Sequence, residues 1–180
     1  MISLPSLPAE VTDPGLRAFY DYWRSRAPEG RLPGRQHIDP LDMPALLPSL
    51  VLLDVVAPEV DRVGGAAAGG DGTLRFRVRL AGGTLVELVG SNPTGHFIDA
   101  FVPANRRDAL NQAYTSVVRG RAAHYWESQL WTEGREFVRV QRLALPLARD
   151  GETVDMVIGC YARVEEAPPA GAVPPGFAPM

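Results

Sequence analysis

The segment from Leu50 to Val56 constrains the fold of this chain more than any other. Its sequence, LVLLDVV, is apolar on both of the alternating sets of positions that a strand turns to opposite sides. A strand of this kind must be covered on both faces and lie inside its sheet. The chain has 180 residues, enough for one domain of ordinary size, so a single domain has to supply both covers.

An amphipathic segment near the N-terminus can supply one cover. Asp13 followed by Pro14 is a favourable helix start, and apolar side chains then recur at i, i+3, i+4 and i+7. These side chains are Leu16, Phe19, Tyr20 and Trp23. Burying a side chain of this kind is worth roughly 1.5–3 kcal/mol, whereas so short a helix is marginal alone in water. We therefore expect helix 14–27 to pack on the outer face of the sheet or to form a dimer interface there.

The segment 73–80 predicts a second strand with a clean alternation. Its inward positions are Leu74, Phe76, Val78 and Leu80, and its outward positions are Arg75, Arg77 and Arg79. A row of guanidinium groups could hold an acidic partner. The interpretation we favour is an exposed edge strand whose charges discourage aggregation between sheets.

The remaining elements complete one antiparallel sheet. Residues 84–89 are typical of a short helix closed by Gly90, and a longer helix begins at Pro103 or Asn105 and ends at Gly120. Three strands follow in the ranges 122–132, 135–147 and 153–164, with turns at Glu133-Gly134 and Asp150-Gly151. Strands joined by short turns pair antiparallel, so the predicted fold class is α+β with the helices gathered on one side.

Three segments are unlike a folded core. Residues 1–12 form a short N-terminal extension, residues 57–72 a Gly/Ala-rich flexible loop, and residues 165–180 a disordered tail rich in Pro and Ala. The residues between the two ends, 13–164, are expected to form a single domain.

Composition narrows the classes of function. The formal net charge is -3, so the chain lacks the basic excess that binds nucleic acid or an anionic membrane. Its 18 Lys and Arg positions are all arginine, which excludes Schiff-base chemistry through lysine. The single Cys160 makes no internal disulfide. Without a signal peptide or a membrane-spanning run, a soluble cytoplasmic protein is expected.

Several motifs resemble, in their order, those of a known family. The stretch GSNPTGHFIDAFVPANRRDAL begins at Gly90, and the final strands end in LALPLARDGETVDMVIGCYARV. Earlier stand YDYW at 20–23, LPGRQHIDPLDMPALLP at 32–48 and RLAGGTLVELVG at 79–90. Together they resemble a bacterial family of small, mostly stand-alone PAS proteins over residues 14 to 164. One position departs from the family pattern, because Gly83 stands where we expect Thr.

The resemblance implies a PAS-like five-stranded antiparallel sheet with a cavity between the sheet and the helices. It implies no catalytic residue and leaves the cofactor unknown. A flavin photosensor of this class needs a reactive cysteine after Gly-x-Asn, where this chain has Pro93. A haem-binding domain needs an axial histidine, and only His96 lies near the expected cavity wall.

Four side chains are candidates for ligand binding in this cavity: Phe97, Trp126, Arg142 and Tyr161. The environment of Arg142 depends on which alternating set of its strand faces inward. If Val140 and Ala144 face the cavity, Arg142 is a buried charge that needs a carboxylate or an anionic ligand. If the other set does, Arg142 is exposed. A one-residue bulge would exchange the two faces, so the pattern leaves both open.

These observations favour a non-enzymatic sensory or regulatory module that binds a small ligand, a partner protein or both. The module is expected to be a homodimer that signals through an unknown regulatory protein, without nucleic-acid binding or membrane insertion. A shift of the N-terminal helix would change its association. Two alternatives remain: a ligand-free dimerisation module, and a small enzyme that uses the cavity as an active site.

Overall fold

Five strands and three α-helices make up the described part of the chain, which in this computed structural model comprises residues 4–57, 73–129 and 139–164. The strands are β1 (Leu50–Val56), β2 (Arg75–Ala81), β3 (His124–Gln129), β4 (Arg139–Leu147) and β5 (Met156–Arg163). The helices are α1 (Pro14–Ser25), α2 (Gly83–Val89) and α3 (Ala104–Gly120). The predicted turn at Glu133-Gly134, residues 58–72 of the predicted loop and the C-terminal tail lie outside the described residues.

The strands form one antiparallel sheet in the order β2-β1-β5-β4-β3. Because β1 pairs with β2 on one side and β5 on the other, its predicted place inside the sheet is confirmed. Leu50 and Leu52 belong to the apolar core that contains α1, whereas Val51 and Leu53 belong to the core on the opposite side. We call the α1 side the outer face and the side with α3 the inner face.

The outer face is covered by α1 of the same chain. An Asp13 carboxylate oxygen accepts a hydrogen bond from the Leu16 amide at 2.8 Å and so caps the helix. The four side chains of the predicted stripe are at most 3% exposed. Trp23 Nε1 donates to the Pro146 carbonyl on β4 at 3.0 Å. Of the two predicted placements, packing on the sheet is the one found, so Leu16, Phe19, Tyr20 and Trp23 are core residues rather than an exposed dimer interface.

The segment before α1 belongs to this cover rather than forming an extension outside the core. Val11 has no exposed surface, and Leu4 and Leu7 pack against the outer core. The Tyr20 hydroxyl donates to the Pro5 carbonyl at 2.7 Å and holds the segment against the helix. The segment has no periodicity that would predict its burial, because tertiary contacts rather than a regular element bury it.

β2 departs from its predicted alternation at Leu80, which is 46% exposed rather than inward. The register between β1 and β2 shifts between Leu52 and Leu53, which leaves Arg79 opposite no residue of β1. This β-bulge reverses the facing of the residues that follow it. Phe76, which precedes the bulge, is buried as predicted.

The outward arginines of β2 form ion pairs within the chain. Arg79 donates to Asp54 at 2.7 Å, and Arg77 lies 4.0 Å from the same carboxylate. Arg75 contacts both carboxylate oxygens of Asp99, at 3.1 and 3.2 Å. β2 is an edge strand of the sheet. The row is therefore an exposed, internally paired edge, in keeping with the interpretation favoured from the sequence.

The inner face carries α2 and α3. α2 ends at Gly90, whose φ of 81° lies in the left-handed region that glycine adopts without strain. α3 includes the predicted last residue Gly120, and Arg121 takes the left-handed conformation that ends the helix, with a φ of 48°. Its buried side is formed by Leu110, Tyr114 and Val117.

Replacing Trp23 with alanine tests the outer cover. The change empties a fully buried site and removes the donor to the Pro146 carbonyl, so we expect the free energy of unfolding to fall by about 3–5 kcal/mol. Chemical denaturation followed by circular dichroism measures the loss. The matched control is Arg24→Ala on the exposed side of α1, expected to change stability by less than about 0.5 kcal/mol. Equal stability of the two variants would contradict this role of α1.

Two adjacent glycines before and in α2 are expected to respond oppositely to alanine. A Cβ at Gly82 would overlap the carbonyl oxygens of Leu47 and Pro48, whereas one at Gly83 would meet no atom within 4 Å. Gly82→Ala should therefore destabilise the protein by about 1–3 kcal/mol. Gly83→Ala should be neutral or stabilising by up to about 1 kcal/mol, because Gly83 is the first residue of α2 and alanine favours the helical conformation. Thermal unfolding measures both changes, and similar losses at the two positions would contradict the close approach at Gly82.

Candidate ligand-binding site

Arg142 lies on the inner face of the sheet. On β4, Val140 and Ala144 belong to the inner core, while Leu143 and Leu145 belong to the outer core. Arg142 shares the parity of the first pair and is only 6% exposed. Of the two alternatives left open by the sequence, the structure has the one in which this arginine is a buried charge among apolar neighbours.

Trp126, Arg142 and Tyr161 form a row across three adjacent strands, which we call the inner row. Trp126 lies opposite Arg142 in the β3–β4 register, and Arg142 lies opposite Tyr161 in the β4–β5 register. The guanidinium carbon is 5.7 Å from the indole centroid and 5.3 Å from the phenol centroid, within the range of cation–π attraction. Arg142 Nη1 also donates to Ser128 Oγ at 2.7 Å. Three of the four predicted cavity residues are thus brought together.

Tyr114 of α3 packs over the inner row. Its hydroxyl lies 3.2 Å from the Tyr161 hydroxyl, and its ring meets the Trp126 ring edge-on at a centroid distance of 5.5 Å. Burial raises the pKa of Tyr114 well above its usual value, and the Tyr161 hydroxyl adds to this effect while the Arg142 charge opposes it. The phenol therefore stays neutral at physiological pH and serves as a hydrogen-bonding group rather than a base.

A cleft of about 380 Å³ opens between α3 and β3, beside the inner row. Small-molecule sites have volumes of roughly 300–1,000 Å³, so this cleft is at the small end of that range. Its walls include Arg106, Ala109, Leu110 and Ala113 of α3, and His124 and Trp126 of β3. Trp126 thus belongs both to the inner row and to the cleft.

His124 presents an uncharged ring to this cleft. Its Nδ1 atom is buried and has no hydrogen-bond partner among the described residues. Burial lowers the pKa of the imidazole from its ordinary value of 6.5, because the charged form is poorly solvated there. The ring packs edge-on against Trp126, with 5.2 Å between the centroids.

Phe97, the fourth predicted cavity residue, lies apart from the inner row. Its backbone is bridged to Arg77 on the free side of β2, and the Arg75 guanidinium lies 3.7 Å above the centre of its ring. β2 and β3 are opposite edges of the sheet. Five strand spacings of about 4.8 Å therefore separate Phe97 from the strand of Trp126 by roughly 24 Å. His96, on the same loop, is exposed.

Three residues of the site are not singled out by the sequence: Tyr114, His124 and Ser128. The sequence does contain a signal for His124 and Ser128. Positions 124, 126 and 128 share one face of a strand, so if Trp126 faces inward, His124 and Ser128 face inward as well. Tyr114 lies on the buried side of α3 with Leu110 and Val117, where its position alone indicates a core residue. A buried phenol needs a polar partner, which is the signal that could have marked it as part of a polar site.

Cys160 of β5 faces the outer core beside α1. Burial raises the pKa of its thiol to about 12, so it is a neutral, apolar side chain rather than a nucleophile. Within residues 4–57, 73–129 and 139–164, no three His, Cys, Asp or Glu side chains are grouped closely enough to hold a metal ion.

Comparison with known proteins identifies the family. The sequence profile of the PAS domain family matches residues 11–162. The chain belongs to this family. The resemblance carried by the order of the motifs is therefore confirmed, together with the predicted α+β PAS fold. PAS domains are typically sensory modules in signalling.

Two solved structures are similar to this PAS domain. The PAS domain of Bordetella pertussis BvgS is 18% identical, with a TM-score of 0.47, and the match covers 72% of this chain and 89% of that chain. A sensory box sensor histidine kinase from Vibrio cholerae is 12% identical, with a TM-score of 0.42, over 88% of this chain and 100% of that chain. No curated protein matches the sequence. None of the described helices is both long and apolar enough to cross a membrane.

The Tyr114–Tyr161 hydrogen bond can be tested by a double-mutant cycle. Tyr114→Phe and Tyr161→Phe each leave one buried hydroxyl without its partner, which should cost about 1–3 kcal/mol. The double variant leaves no such hydroxyl, so we expect its loss to be smaller than the sum by about 0.5–3 kcal/mol. Urea denaturation of the four proteins measures the coupling.

The control cycle pairs Tyr161→Phe with Tyr125→Phe, whose hydroxyl instead donates to Glu127 at 2.6 Å. These two changes should add within about 0.5 kcal/mol. Additive losses at Tyr114 and Tyr161 as well would contradict the hydrogen bond.

Proposed function

We propose that this PAS domain is a non-catalytic sensory module that binds a small molecule in the cleft between α3 and β3 and reports its presence to another protein. The observation that carries this proposal is the inner row, in which the buried guanidinium of Arg142 lies between the buried ring of Tyr161 and the half-buried ring of Trp126, beside a cleft of ligand size. Burying a charge costs stability, so a core that only had to fold would be served as well by apolar side chains. A few polar groups within an apolar, concave surface are typical of ligand sites.

The strands offer a direct route from the cleft to the outer face. Leu143 follows Arg142 on β4, and Cys160 precedes Tyr161 on β5. Leu143 and Cys160 lie opposite each other and belong to the outer core with α1. A ligand that displaces Trp126 moves strands whose other face supports α1. Binding would thereby change the position of α1 and, with it, the association of this surface with a partner.

The exposed side of α1 is the surface that would report this change, since its buried side is occupied by the chain's own sheet. The receiver in this proposal is a regulatory protein or a second copy of the chain, and the module works in the cytoplasm. The chemistry of the inner row supports binding rather than catalysis. The inner row offers a guanidinium, an indole and a phenol, and burial raises the pKa of the Tyr114 phenol that packs over it, so Tyr114 is no base at physiological pH.

Native mass spectrometry and a fragment screen test the proposal together. We expect gently purified protein to carry a small molecule, or a fragment library to contain compounds that shift the indole N–H resonance of Trp126. Trp126→Phe assigns that resonance among the three tryptophans. Ala113→Leu fills the cleft and should abolish binding while the domain stays folded.

The matched control is Ala100→Leu, which adds the same volume at an exposed position outside the cleft and should leave binding unchanged. A protein that carries no molecule, and whose Trp126 resonance no fragment shifts, would contradict the proposal and favour a ligand-free interaction module. Binding that survives Ala113→Leu would contradict the assignment of the cleft.

A further inference from the structure

The first turn of α3 has a charge distribution that disfavours an isolated helix. The N-terminal end of a helix is its positive end, where acidic side chains are stabilising. α3 begins with Ala104, Asn105, Arg106 and Arg107, has no acidic residue in its first turn, and receives no side-chain cap from Pro103. Two arginines therefore add positive charge where the helix already carries it. An anion bound beside this turn would offset that cost.

Arg106 and Arg107 differ in their surroundings. Arg107 Nε donates to the Val102 carbonyl at 3.4 Å, and its side chain is not part of the cleft wall. Arg106 lines the cleft and forms no ion pair with any residue of the described ranges. Because His124 is uncharged, Arg106 is the one cationic side chain among the residues that line this cleft.

Beyond Arg106 the cleft offers small and flat apolar surfaces. Ala109 and Ala113 follow Arg106 on the same side of α3, where their short side chains leave room between the helix and the sheet. On β3 stand the rings of His124 and Trp126. At 1.5 Å per residue, Arg106 and Ala113 are about 10 Å apart along the helix. A space with these walls suits a flat ring system better than a branched chain.

We infer that the ligand of this cleft is a small planar organic acid, with its ring against Trp126 and Ala113 and its carboxylate paired with Arg106. The inference rests on the proposed function, because it names the chemical class of ligand for the same site. Arginine–carboxylate pairs are charge-assisted, and packing against an indole adds apolar area and a favourable ring contact. The carboxylate also supplies the negative charge that the first turn of α3 lacks.

Two probe molecules of nearly equal shape separate the contribution of the carboxylate to binding affinity from the contribution of the ring. We would titrate the protein calorimetrically with indole-3-acetate and with its uncharged amide, indole-3-acetamide. The wild-type protein should bind the acid at least about tenfold more tightly than the amide, as expected for a hydrogen bond to a charged group. Ala113→Leu should abolish binding of both probes.

Two adjacent arginines provide the decisive comparison. Arg106→Gln should weaken binding of the acid by at least about tenfold and leave binding of the amide unchanged. Arg107→Gln removes an equal charge from the neighbouring position and should change either affinity by no more than about twofold, because the Arg107 side chain is not part of the cleft wall. Circular dichroism and thermal unfolding verify that each variant is folded.

Three results would overturn the inference: equal binding of acid and amide, equal weakening in the two arginine variants, and binding of neither probe. None of them by itself overturns the proposed function. That function is judged by the mass-spectrometry and fragment experiments, where a molecule lost on Ala113→Leu would show that the cleft holds a ligand of another class. If those experiments also find no ligand, the proposed function fails together with the inference.

Discussion

The two apolar faces of β1 demand two separate covers, and the chain builds them from distant parts of its sequence. Leu50 and Leu52 lie under α1, which precedes the strand, while Val51 and Leu53 lie in the core formed with α2 and α3, which follow it. The sheet between the two cores is one residue thick. Side chains adjacent in sequence therefore belong to opposite cores, and a polar group placed on one face sits directly behind apolar groups on the other.

Because the sheet is a single layer, the strands that carry the inner row also carry the residues that contact α1. A buried guanidinium is tolerated only where neighbouring groups hold it in a favourable position. The strand register provides such neighbours, because it places Trp126 on one side of Arg142 and Tyr161 on the other. The same register sets Leu143 and Cys160 against α1. The inner row and the packing against α1 thus both depend on β4 and β5.

Local signals in the sequence predict most of the secondary structure. The cap at Asp13, the stripe of α1, the two-sided β1 and the glycine closure of α2 all follow from short-range rules, and the structure confirms them. What the sequence leaves open depends on tertiary contacts. The bulge at Arg79 turns Leu80 outward. Val11 is buried although it belongs to no helix or strand whose pattern would predict its burial.

In the candidate site, too, local signals predict some features, whereas others depend on tertiary contacts. The sequence predicts that Trp126, Arg142 and Tyr161 lie on strands, but only the register shows that they are cross-strand neighbours. Phe97 is predicted to join them because it stands next to His96, near the expected cavity wall, yet a bridge to Arg77 holds it at the far edge of the sheet. The resemblance implies a cavity between the sheet and the helices, but the sequence does not show which residues line it, because the cleft walls come from one helix and one strand whose spacing is set by the whole core.

The hydrogen bond between Trp23 and Pro146 spans 123 residues, so α1 is synthesised well before the strand that anchors it. At roughly 5–20 residues per second, the ribosome needs about 6–25 s to make the intervening chain. Throughout that interval Trp23 lacks the β4 carbonyl to which it donates in the folded protein. The part of the outer cover that rests on β4 can therefore form only after that strand has been synthesised.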